Sequence, residues 1–307
     1  MKHRKIDLTT KVGSLKLRNP ILLASGIIGA GREYAELIDY SSIGGIITKT
    51  VTREPKTGNL PPRIVETGDS VLNSIGLQNV GVDRFIEDNQ DFLAAVDTKV
   101  IVSIGGSSID ELRYCAKAVS DLSWASAIEL NLSCPNVKSG GMSFSMSPGG
   151  TSGAVAAVRD IIDKPLWVKL TPQVANIAEI AESAMLSGAD AISAINTVPA
   201  FDIDLLSLKP KLGNGMGGLS GPAIFPLAMR AVYLMSQAID IPIVAIGGVN
   251  TTERGLKLIA VGASAFQIGS SLFAHPELPE QMVDEIETVL SQMGIKSIAE
   301  LVGAYSK

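Results

Sequence analysis

The chain has 307 residues, of which 46% are hydrophobic, 5% aromatic and 19% charged, and it carries 30 glycines. This length fits either two ordinary domains or one large α/β barrel. Lysine and arginine number 26 against 31 acidic residues, a net charge of −5, and no run of Lys or Arg would form a stripe that follows a phosphate backbone, which argues against a nucleic-acid partner.

The first ten residues, MKHRKIDLTT, are basic but lead into no apolar segment, and no later stretch is apolar enough to span a bilayer. We therefore expect neither a signal peptide nor a membrane span, and we expect a cytoplasmic protein. The two cysteines, Cys115 and Cys134, do not have metal-ligand spacing and are too few for an iron-sulfur cluster. Free thiols and no metal site are expected.

Eight apolar, β-branched runs alternate with helical patterns, which is typical of parallel βαβ units. The predicted strands are 20–24, 44–48, 99–104, 126–131, 165–170, 190–195, 242–246 and 264–268. Eight such units close a (β/α)8 barrel, also called a TIM barrel. Helices are expected between the strands, for instance over 174–187 and 222–238. No linker divides the chain, so we predict a single domain over 1–307.

Three segments lie outside the eight units. Residues 6–17 alternate around a central glycine and predict a hairpin that covers the bottom of the barrel. The connections 49–81 and 196–221 are long, and we interpret them as structureless functional loops. Both follow a strand, so they should lie at the carboxyl end of the barrel, where active sites of this fold are built.

Glycine-rich loops follow the last strands. The sequences AIGGVN and QIGSSLF come after the seventh and eighth strands, and GGLSGP at 217–222 is a third loop. Backbone N–H groups at such positions usually hold a phosphate in barrels of this type. The stretch GNGMGG at 213–218 matches the dinucleotide fingerprint but has neither the strand before it nor the helix after it. A mononucleotide cofactor is the favoured interpretation.

Two lysines and three asparagines are candidate binding residues. Lys169 lies inside the apolar strand LWVKL, so it must meet an anion or a wet site, and Lys49 ends the second strand. Asn73, Asn131 and Asn196 each lie at a strand end or at the start of an active-face loop. Amide side chains donate and accept together, so a cluster of them can hold a ring that carries C=O and N–H groups.

Cys134 is the candidate general base. The only two histidines are His3, in the amino-terminal tail, and His275, past the eighth strand, so another group must move any proton on the active face. Cys134 follows the fourth strand in IELNLSCPNVKSGG, and a thiol near positive charge has a tunable pKa. An inert, half-buried thiol remains the alternative. Cys115 lies in a helical pattern and is interpreted as structural.

Several motifs together resemble class 1 dihydroorotate dehydrogenases. They are ASG (24–26), TKTVTREPKTGNLPPRIVET (48–67), NSIGLQNVG (73–81), NLSCPNVKSGG (131–141), VKLTP (168–172), INT (195–197), GGLSGPAI (217–224), GGV (247–249) and IGSS (268–271). The form NSIGLQN is similar to the 1B subclass. The resemblance implies an FMN-dependent oxidation of (S)-dihydroorotate to orotate in pyrimidine (UMP) biosynthesis.

The resemblance also implies residue roles. Cys134 would remove a proton from C5 of the substrate while a hydride leaves C6 for N5 of the flavin, and Lys169 could stabilise negative charge on the reduced flavin. Substrate-binding positions are Lys49, Asn73, Ser74, Ile75, Gly76, Leu77, Asn131, Asn196 and Thr197. Flavin-binding positions are Ser25, Lys49, Thr50, Ser103, Asn131, Lys169, Ile195, Gly221, Gly247, Gly248, Gly269 and Ser270.

A partner subunit is implied as well. In the 1B subclass the catalytic chain pairs with a smaller subunit that carries FAD and a [2Fe-2S] cluster and passes electrons to NAD, which implies a homodimer core within a heterotetramer. Independently, two cysteines cannot build such a cluster and no credible nicotinamide site is present. The residues themselves therefore require an electron acceptor outside this chain.

The chain departs from the family pattern at three places. Residues 142–150 read MSFSMSPGG, residues 195–204 read INTVPAFDID, and Phe225 replaces a frequent lysine. Two alternative functions stay open. One is an FMN enzyme of the dihydropyrimidine dehydrogenase type, and the other is a non-redox, phosphate-binding lyase or isomerase in which Lys49 or Lys169 forms a Schiff base.

Overall fold

The structure is a computed structural model that describes residues 6–132 and 144–306. In chain order its strands are β1 (Thr10–Val12), β2 (Leu15–Leu17), β3 (Ile21–Leu23), β4 (Gly45–Ile47), β5 (Ile64–Thr67), β6 (Ser70–Asn73), β7 (Lys99–Ile104), β8 (Ala125–Asn131), β9 (Leu166–Lys169), β10 (Ala191–Ala194), β11 (Val198–Ala200), β12 (Ile203–Asp204), β13 (Lys209–Pro210), β14 (Gly217–Ser220), β15 (Ile243–Ile246) and β16 (Ala265–Ile268). Its α-helices are α1 (Val82–Ala95), α2 (Ile109–Ser120), α3 (Pro148–Arg159), α4 (Ile177–Leu186), α5 (Phe225–Ser236), α6 (Thr252–Ala260), α7 (Leu278–Gln292) and α8 (Ile298–Leu301).

Eight parallel strands close the barrel. They follow one another around it in the order β3, β4, β7, β8, β9, β10, β15 and β16, and β16 pairs with β3. Each lies within one residue of its predicted bounds, which confirms the (β/α)8 fold. Apolar helix faces pack around the strands, and no helix of the described ranges is long and apolar enough to cross a membrane.

The predicted helices begin later than their apolar patterns. Helix α4 starts at Ile177 because the Asn176 side chain accepts a hydrogen bond from the backbone N–H of Ala178 at 3.2 Å. The region 222–238 divides into a 3-10 turn, Pro222–Ile224, followed by α5. Pro226 has no N–H to donate to the carbonyl of Pro222, so a continuous α-helix cannot form through this point.

The amino-terminal hairpin is confirmed. Strands β1 and β2 pair antiparallel around Gly13, and Val12 and Leu17 join a fully buried cluster with one residue from each barrel strand. Those eight residues are Leu22, Ile47, Ile101, Ala127, Trp167, Ala191, Val244 and Ala265. The hairpin thus seals an apolar layer at the amino-terminal end of the barrel.

The two long connections are not structureless, so that interpretation is wrong. Strands β5 and β6 from the first connection and β11 and β14 from the second form one antiparallel sheet in the order β11-β14-β6-β5. The two connections meet where β14 pairs with β6, with Gly218 opposite Asn73. We call this four-stranded sheet the roof sheet. Its pairing is set between segments far apart in sequence, which local patterns do not reveal.

Candidate active site

A polar layer lies directly above the apolar layer inside the barrel. Side chains two residues apart on a strand share a face, so the next inward positions on five of the strands are Ser103, Glu129, Lys169, Ser193 and Gln267. All five are buried; Lys169 is 5% exposed and the other four are 0% exposed. The interior therefore changes from apolar to polar within one step along the strands, toward their carboxyl ends.

Two of these residues are joined across the barrel. The Gln267 amide nitrogen donates to Glu129 Oε2 at 3.2 Å, and β16 and β8 lie on opposite sides of the closed sheet. The Lys169 ammonium lies 3.6 Å from Glu129 Oε1. This separation is longer than a hydrogen bond, so the contact is an ion pair. The predicted flavin residue Lys169 thus has a buried carboxylate beside it.

Thr50 is the centre of a second group of predicted flavin residues. Its hydroxyl lies 3.2 Å from Ser25 Oγ and 2.9 Å from Ser103 Oγ, and it accepts from the Asn131 amide at 3.2 Å. These four residues come from the carboxyl ends of four neighbouring strands or from just beyond them. The hydroxyl of Thr50 connects them into one hydrogen-bonded group, which we call the Thr50 cluster.

The roof sheet brings predicted substrate residues from the two long connections together. The Asn73 amide donates to the carbonyl of Gly218 at 3.2 Å. A Cβ atom on Gly218 would overlap the side chain of Thr197, and the backbone N–H of Thr197 donates to Asn196 Oδ1 at 2.7 Å. Asn73, Asn196 and Thr197 are therefore placed around one glycine. The pairing of β14 with β6 on one side and with β11 on the other, rather than closeness in sequence, holds them there.

The predicted substrate loop, residues 73–77, is held by neighbouring asparagines. The Asn59 amide donates to Ser74 Oγ at 2.8 Å and to the Ser74 carbonyl at 3.1 Å, and the backbone N–H of Asn59 donates to the carbonyl of Ile75 at 3.0 Å. The Asn79 amide donates to the carbonyl of Leu77 at 2.8 Å. These contacts fix the loop in place, and the sequence reasoning did not single out either asparagine.

The glycine loops after β15 and β16 lie side by side. The Ser271 hydroxyl donates to the carbonyl of Val249 at 2.9 Å, which connects the loop holding Gly247 and Gly248 to the loop holding Gly269 and Ser270. Gly248 has a φ of +71°, and a Cβ there would lie 2.7 Å from the Cβ of Phe225. Glycine is therefore required at 248 both by conformation and by close packing.

Arg254 connects the loop after β15 to the Gly221 loop. One guanidinium nitrogen donates to the carbonyl of Gly248 at 2.9 Å and to the carbonyl of Pro222 at 3.3 Å. The Pro222 carbonyl also accepts from the backbone N–H of Phe225, and the missing N–H of Pro226 leaves its second acceptor position to the guanidinium. The guanidinium also lies 4.8 Å from the centre of the Phe225 ring, so the aromatic residue that departs from the family pattern has a cation–π role here.

Four further residues singled out from the sequence have different surroundings. Cys134, the candidate base, falls within residues 133–143, which lie outside the described residues, as do the first two positions of the departing segment 142–150. Lys49 is half-buried, and its backbone N–H donates to the carbonyl of Gly29 at 2.7 Å. Ile195 is buried just after β10. Cys115 is fully buried on α2, and burial raises the pKa of its thiol to about 12.

Comparisons with known proteins decide the family. The sequence profile described as dihydroorotate dehydrogenase matches residues 7–290. This chain belongs to the dihydroorotate dehydrogenase family. A curated relative from Geotalea uraniireducens, named dihydroorotate dehydrogenase B (NAD(+)), catalytic subunit, is 44% identical over 300 residues and covers 98% of each chain. A relative of the same name from Bacillus pumilus is 43% identical and covers 96% of each chain.

A solved structure supports the fold of this dihydroorotate dehydrogenase family member. The crystal structure of DHODH from Eimeria tenella in complex with ferulenol has a TM-score of 0.84 to this chain at 21% sequence identity. The likeness covers 100% of this chain and 90% of that one. At this identity the comparison bears on the fold, while the assignment to the dihydroorotate dehydrogenases depends on the sequence relatives.

The residues at the carboxyl-terminal mouth of the barrel fit the flavin on which the dihydroorotate dehydrogenase family depends. Three buried polar atoms of the polar layer, Glu129 Oε1, Ser193 Oγ and Gln267 Oε1, have no hydrogen-bond partner among the described residues. The Thr50 cluster adds hydroxyls and an amide, and it shares Ser103 with this layer; the glycine loops follow β15 and β16 at the same end of the barrel. A polar heterocycle that carries a phosphate matches this set of donors and acceptors.

Sequence reasoning missed Glu129 and Gln267. Both lie inside strands that were otherwise treated as apolar, SAIELN and SAFQI. The signal was present, because a carboxylate or an amide in a buried strand needs a partner for the same reason as Lys169. By this criterion the two residues stand out from their strands as clearly as the lysine does.

Proposed function

We propose that this protein oxidises (S)-dihydroorotate to orotate in pyrimidine biosynthesis, with FMN as its flavin. The observation that carries the proposal is the convergence of residues spread from Ser25 to Gly269 at one mouth of the barrel. Near full-length similarity to curated dihydroorotate dehydrogenase B catalytic subunits supports the same reaction. A bound flavin would supply the acceptor for the hydride that leaves C6 of the substrate.

The substrate would be held by amides and backbone groups. Asn73, Asn196 and Thr197 lie around Gly218, and Asn131 reaches the same mouth from β8. Amides can pair with both the carbonyl and the N–H groups of a dihydropyrimidine ring. The full proposed set is Lys49, Asn73, Ser74, Ile75, Gly76, Leu77, Asn131, Asn196 and Thr197. Cys134 is proposed to remove the proton from C5.

The flavin would be held by three groups of residues. The Thr50 cluster supplies hydroxyl and amide groups, Lys169 supplies positive charge, and the glycine loops supply backbone N–H groups for the phosphate. The proposed contacts are Ser25, Lys49, Thr50, Ser103, Asn131, Lys169, Ile195, Gly221, Gly247, Gly248, Gly269 and Ser270.

The electrons would leave through a partner subunit. The relatives are named catalytic subunits of an NAD(+) enzyme, and two cysteines are too few to hold an iron-sulfur cluster in this chain. We therefore propose a homodimer of this chain that binds an FAD and [2Fe-2S] subunit in a heterotetramer, acting in the cytoplasm with NAD as the final acceptor.

Flavin bleaching tests the proposal. The purified protein should be yellow, and anaerobic addition of dihydroorotate should bleach it much faster than dihydrouracil does. Faster bleaching by dihydrouracil would point instead to a dihydropyrimidine dehydrogenase type of activity. A colourless protein that borohydride traps covalently with a carbonyl substrate would replace the proposal by Schiff-base chemistry at a lysine.

A further inference from the structure

We propose that Glu129 is the counter-ion and positioning residue of Lys169, and that through this lysine it sets the reduction potential of the bound flavin. The inference deepens the proposed function and depends on it for the flavin. It rests on the juxtaposition of Lys169 Nζ and Glu129 Oε1, 3.6 Å apart inside the barrel.

Glu129 is the only acidic group of the described residues within ion-pair distance of the Lys169 ammonium. Glu129 is 0% and Lys169 is 5% exposed, so water screens the pair little. Gln267 donates to Glu129 Oε2 at 3.2 Å from the opposite side of the barrel. This bond fixes the carboxylate, and the fixed carboxylate in turn fixes the position of the lysine head group.

Stability alone does not explain a charged pair at this depth. Replacing a buried ion pair by apolar side chains is often neutral or stabilising, and the layer just below is entirely apolar. Glu129 Oε1, Ser193 Oγ and Gln267 Oε1 also lack hydrogen-bond partners among residues 6–132 and 144–306. A polar layer that costs stability is retained where it serves the site above it.

The pair has a direct electrostatic consequence. A bound flavin gains negative charge when it takes up electrons, and a lysine ammonium favours that change. A carboxylate fixed beside the ammonium opposes part of this effect and also keeps the lysine from being an uncompensated buried charge. Loss of Glu129 should therefore change the potential by different amounts with and without Lys169, because only with the lysine present does it also release an ammonium group from its position.

The first test uses the apoprotein. We would compare urea unfolding midpoints of the parent, Glu129→Gln, Lys169→Met and the double variant. Each single variant should unfold at lower urea because it leaves one buried charge unpaired, and the double variant should recover most of the loss. If Glu129→Gln does not fold, recovery of soluble protein in the double variant supports the pair. Losses that simply add, or a double variant that is equally insoluble, would overturn it.

The second test measures the midpoint potential of the flavin in the same four proteins. Glu129→Gln should shift the potential by a different amount in the parent than in the Lys169→Met background, because only the parent also loses the fixed position of the ammonium. Ser193→Ala is the matched control, because it removes a polar atom from the same layer at a position paired with Lys169 without changing charge. An equal shift in both backgrounds, or a shift as large in Ser193→Ala, would reject the positioning role.

The two proposals fail differently. If the parent binds no flavin, or its flavin is not bleached by dihydroorotate, the proposed function fails while the apoprotein cycle still reports on the charge pair. If the parent is bleached and the cycle shows no coupling, only the role of Glu129 is lost.

Discussion

The side chains of Gln267 and Glu129 meet across the full width of the barrel, at a donor–acceptor distance of 3.2 Å. Their strands lie on opposite sides of the closed sheet, so this single bond connects the two halves of the interior. It lies in the polar layer that includes Ser103 of the Thr50 cluster, and above an apolar layer of one residue from each strand. The position of the candidate site along the barrel axis is thus set where the interior changes from apolar to polar.

Removing the Gln267 amide should destabilise the fold. In Gln267→Leu the Glu129 Oε2 atom loses its donor inside a dry interior, and we expect a loss of about 1–3 kcal/mol in the free energy of unfolding. Urea denaturation measures it. Gln292→Leu, at the exposed end of α7, is the control and should stay within about 0.5 kcal/mol of the parent. Equal effects at both positions would contradict the bond's importance.

Removing the Thr50 hydroxyl should weaken flavin binding. Thr50→Val keeps the size of the side chain but deletes the oxygen to which both Ser103 and Asn131 are hydrogen-bonded. Losing a buried hydrogen-bonding group costs about 1–3 kcal/mol, which corresponds to about a 5- to 150-fold rise in the dissociation constant. Titration of apoprotein with FMN, followed by flavin fluorescence, measures this change.

Thr98→Val is the matched control for Thr50→Val. The Thr98 hydroxyl donates to the carbonyl of Ile43 at 2.9 Å, just before β7 at the amino-terminal end of the barrel. Its loss should lower stability and leave the affinity for FMN unchanged. If both variants weaken flavin binding equally, the Thr50 cluster has no special part in the site.

A methyl group at Gly218 should disturb the substrate side of the site. In Gly218→Ala the added Cβ would overlap Thr197, so either the roof sheet or the 196–197 segment must shift. Misplacement of binding groups should lower kcat/KM for dihydroorotate by about 10- to 100-fold. FMN affinity should fall less than kcat/KM, because only Gly221 and Ile195 of the proposed flavin contacts adjoin these segments, while Thr50 and the glycine loops after β15 and β16 lie elsewhere. Steady-state kinetics with an artificial electron acceptor measure the effect.

Gly153→Ala is the corresponding control. Gly153 lies in α3, and a Cβ there meets nothing within 4 Å. Alanine should leave kcat/KM unchanged and stabilise the helix by about 0.5–1 kcal/mol. A kinetic defect of similar size in both variants would mean that the contact with Thr197 is not the cause.

The sequence predicted the barrel but not the roof sheet, for a physical reason. Barrel strands such as Ile21–Leu23 and Ile243–Ile246 are continuous apolar runs because both faces are buried. Strand β14 reads GGLS and is half-buried, so no local pattern marks it, and only its pairing with β6 makes it a strand. Tertiary pairing overrides local preference in such segments.

The candidate site was predicted unevenly for a similar reason. Residues such as Lys169 and the terminal glycines stand out against their own strand or turn. The partners that position them do not: Gln267 contacts Glu129 across the barrel, and Arg254 reaches carbonyls on two separate loops. Contacts between distant segments of this kind have no signature in either segment alone.

The two thiols should differ sharply in reactivity. Cys115 is fully buried, and burial raises the pKa of its thiol to about 12, so almost no thiolate exists at a pH of about 8. If Cys134 is the general base, its thiolate must form readily beside the substrate, and iodoacetamide should alkylate it first. Peptide mapping of the native protein should show modification at Cys134 alone, with Cys115 modified only after unfolding.

Protection by orotate makes the thiol experiment specific to the site. A ring bound against Asn73 and Asn131 would cover a base that removes the proton from C5, so orotate should slow both alkylation of Cys134 and loss of activity by the same factor. Cys134→Ala should still bind flavin. Reduction of that flavin by dihydroorotate should slow by about 10²- to 10⁴-fold, because the C5 proton of the substrate has lost its acceptor. Cys115→Ala is the control and should keep the parental rate. Unchanged single-turnover reduction in Cys134→Ala would remove Cys134 from the reaction and return the thiol to an inert role.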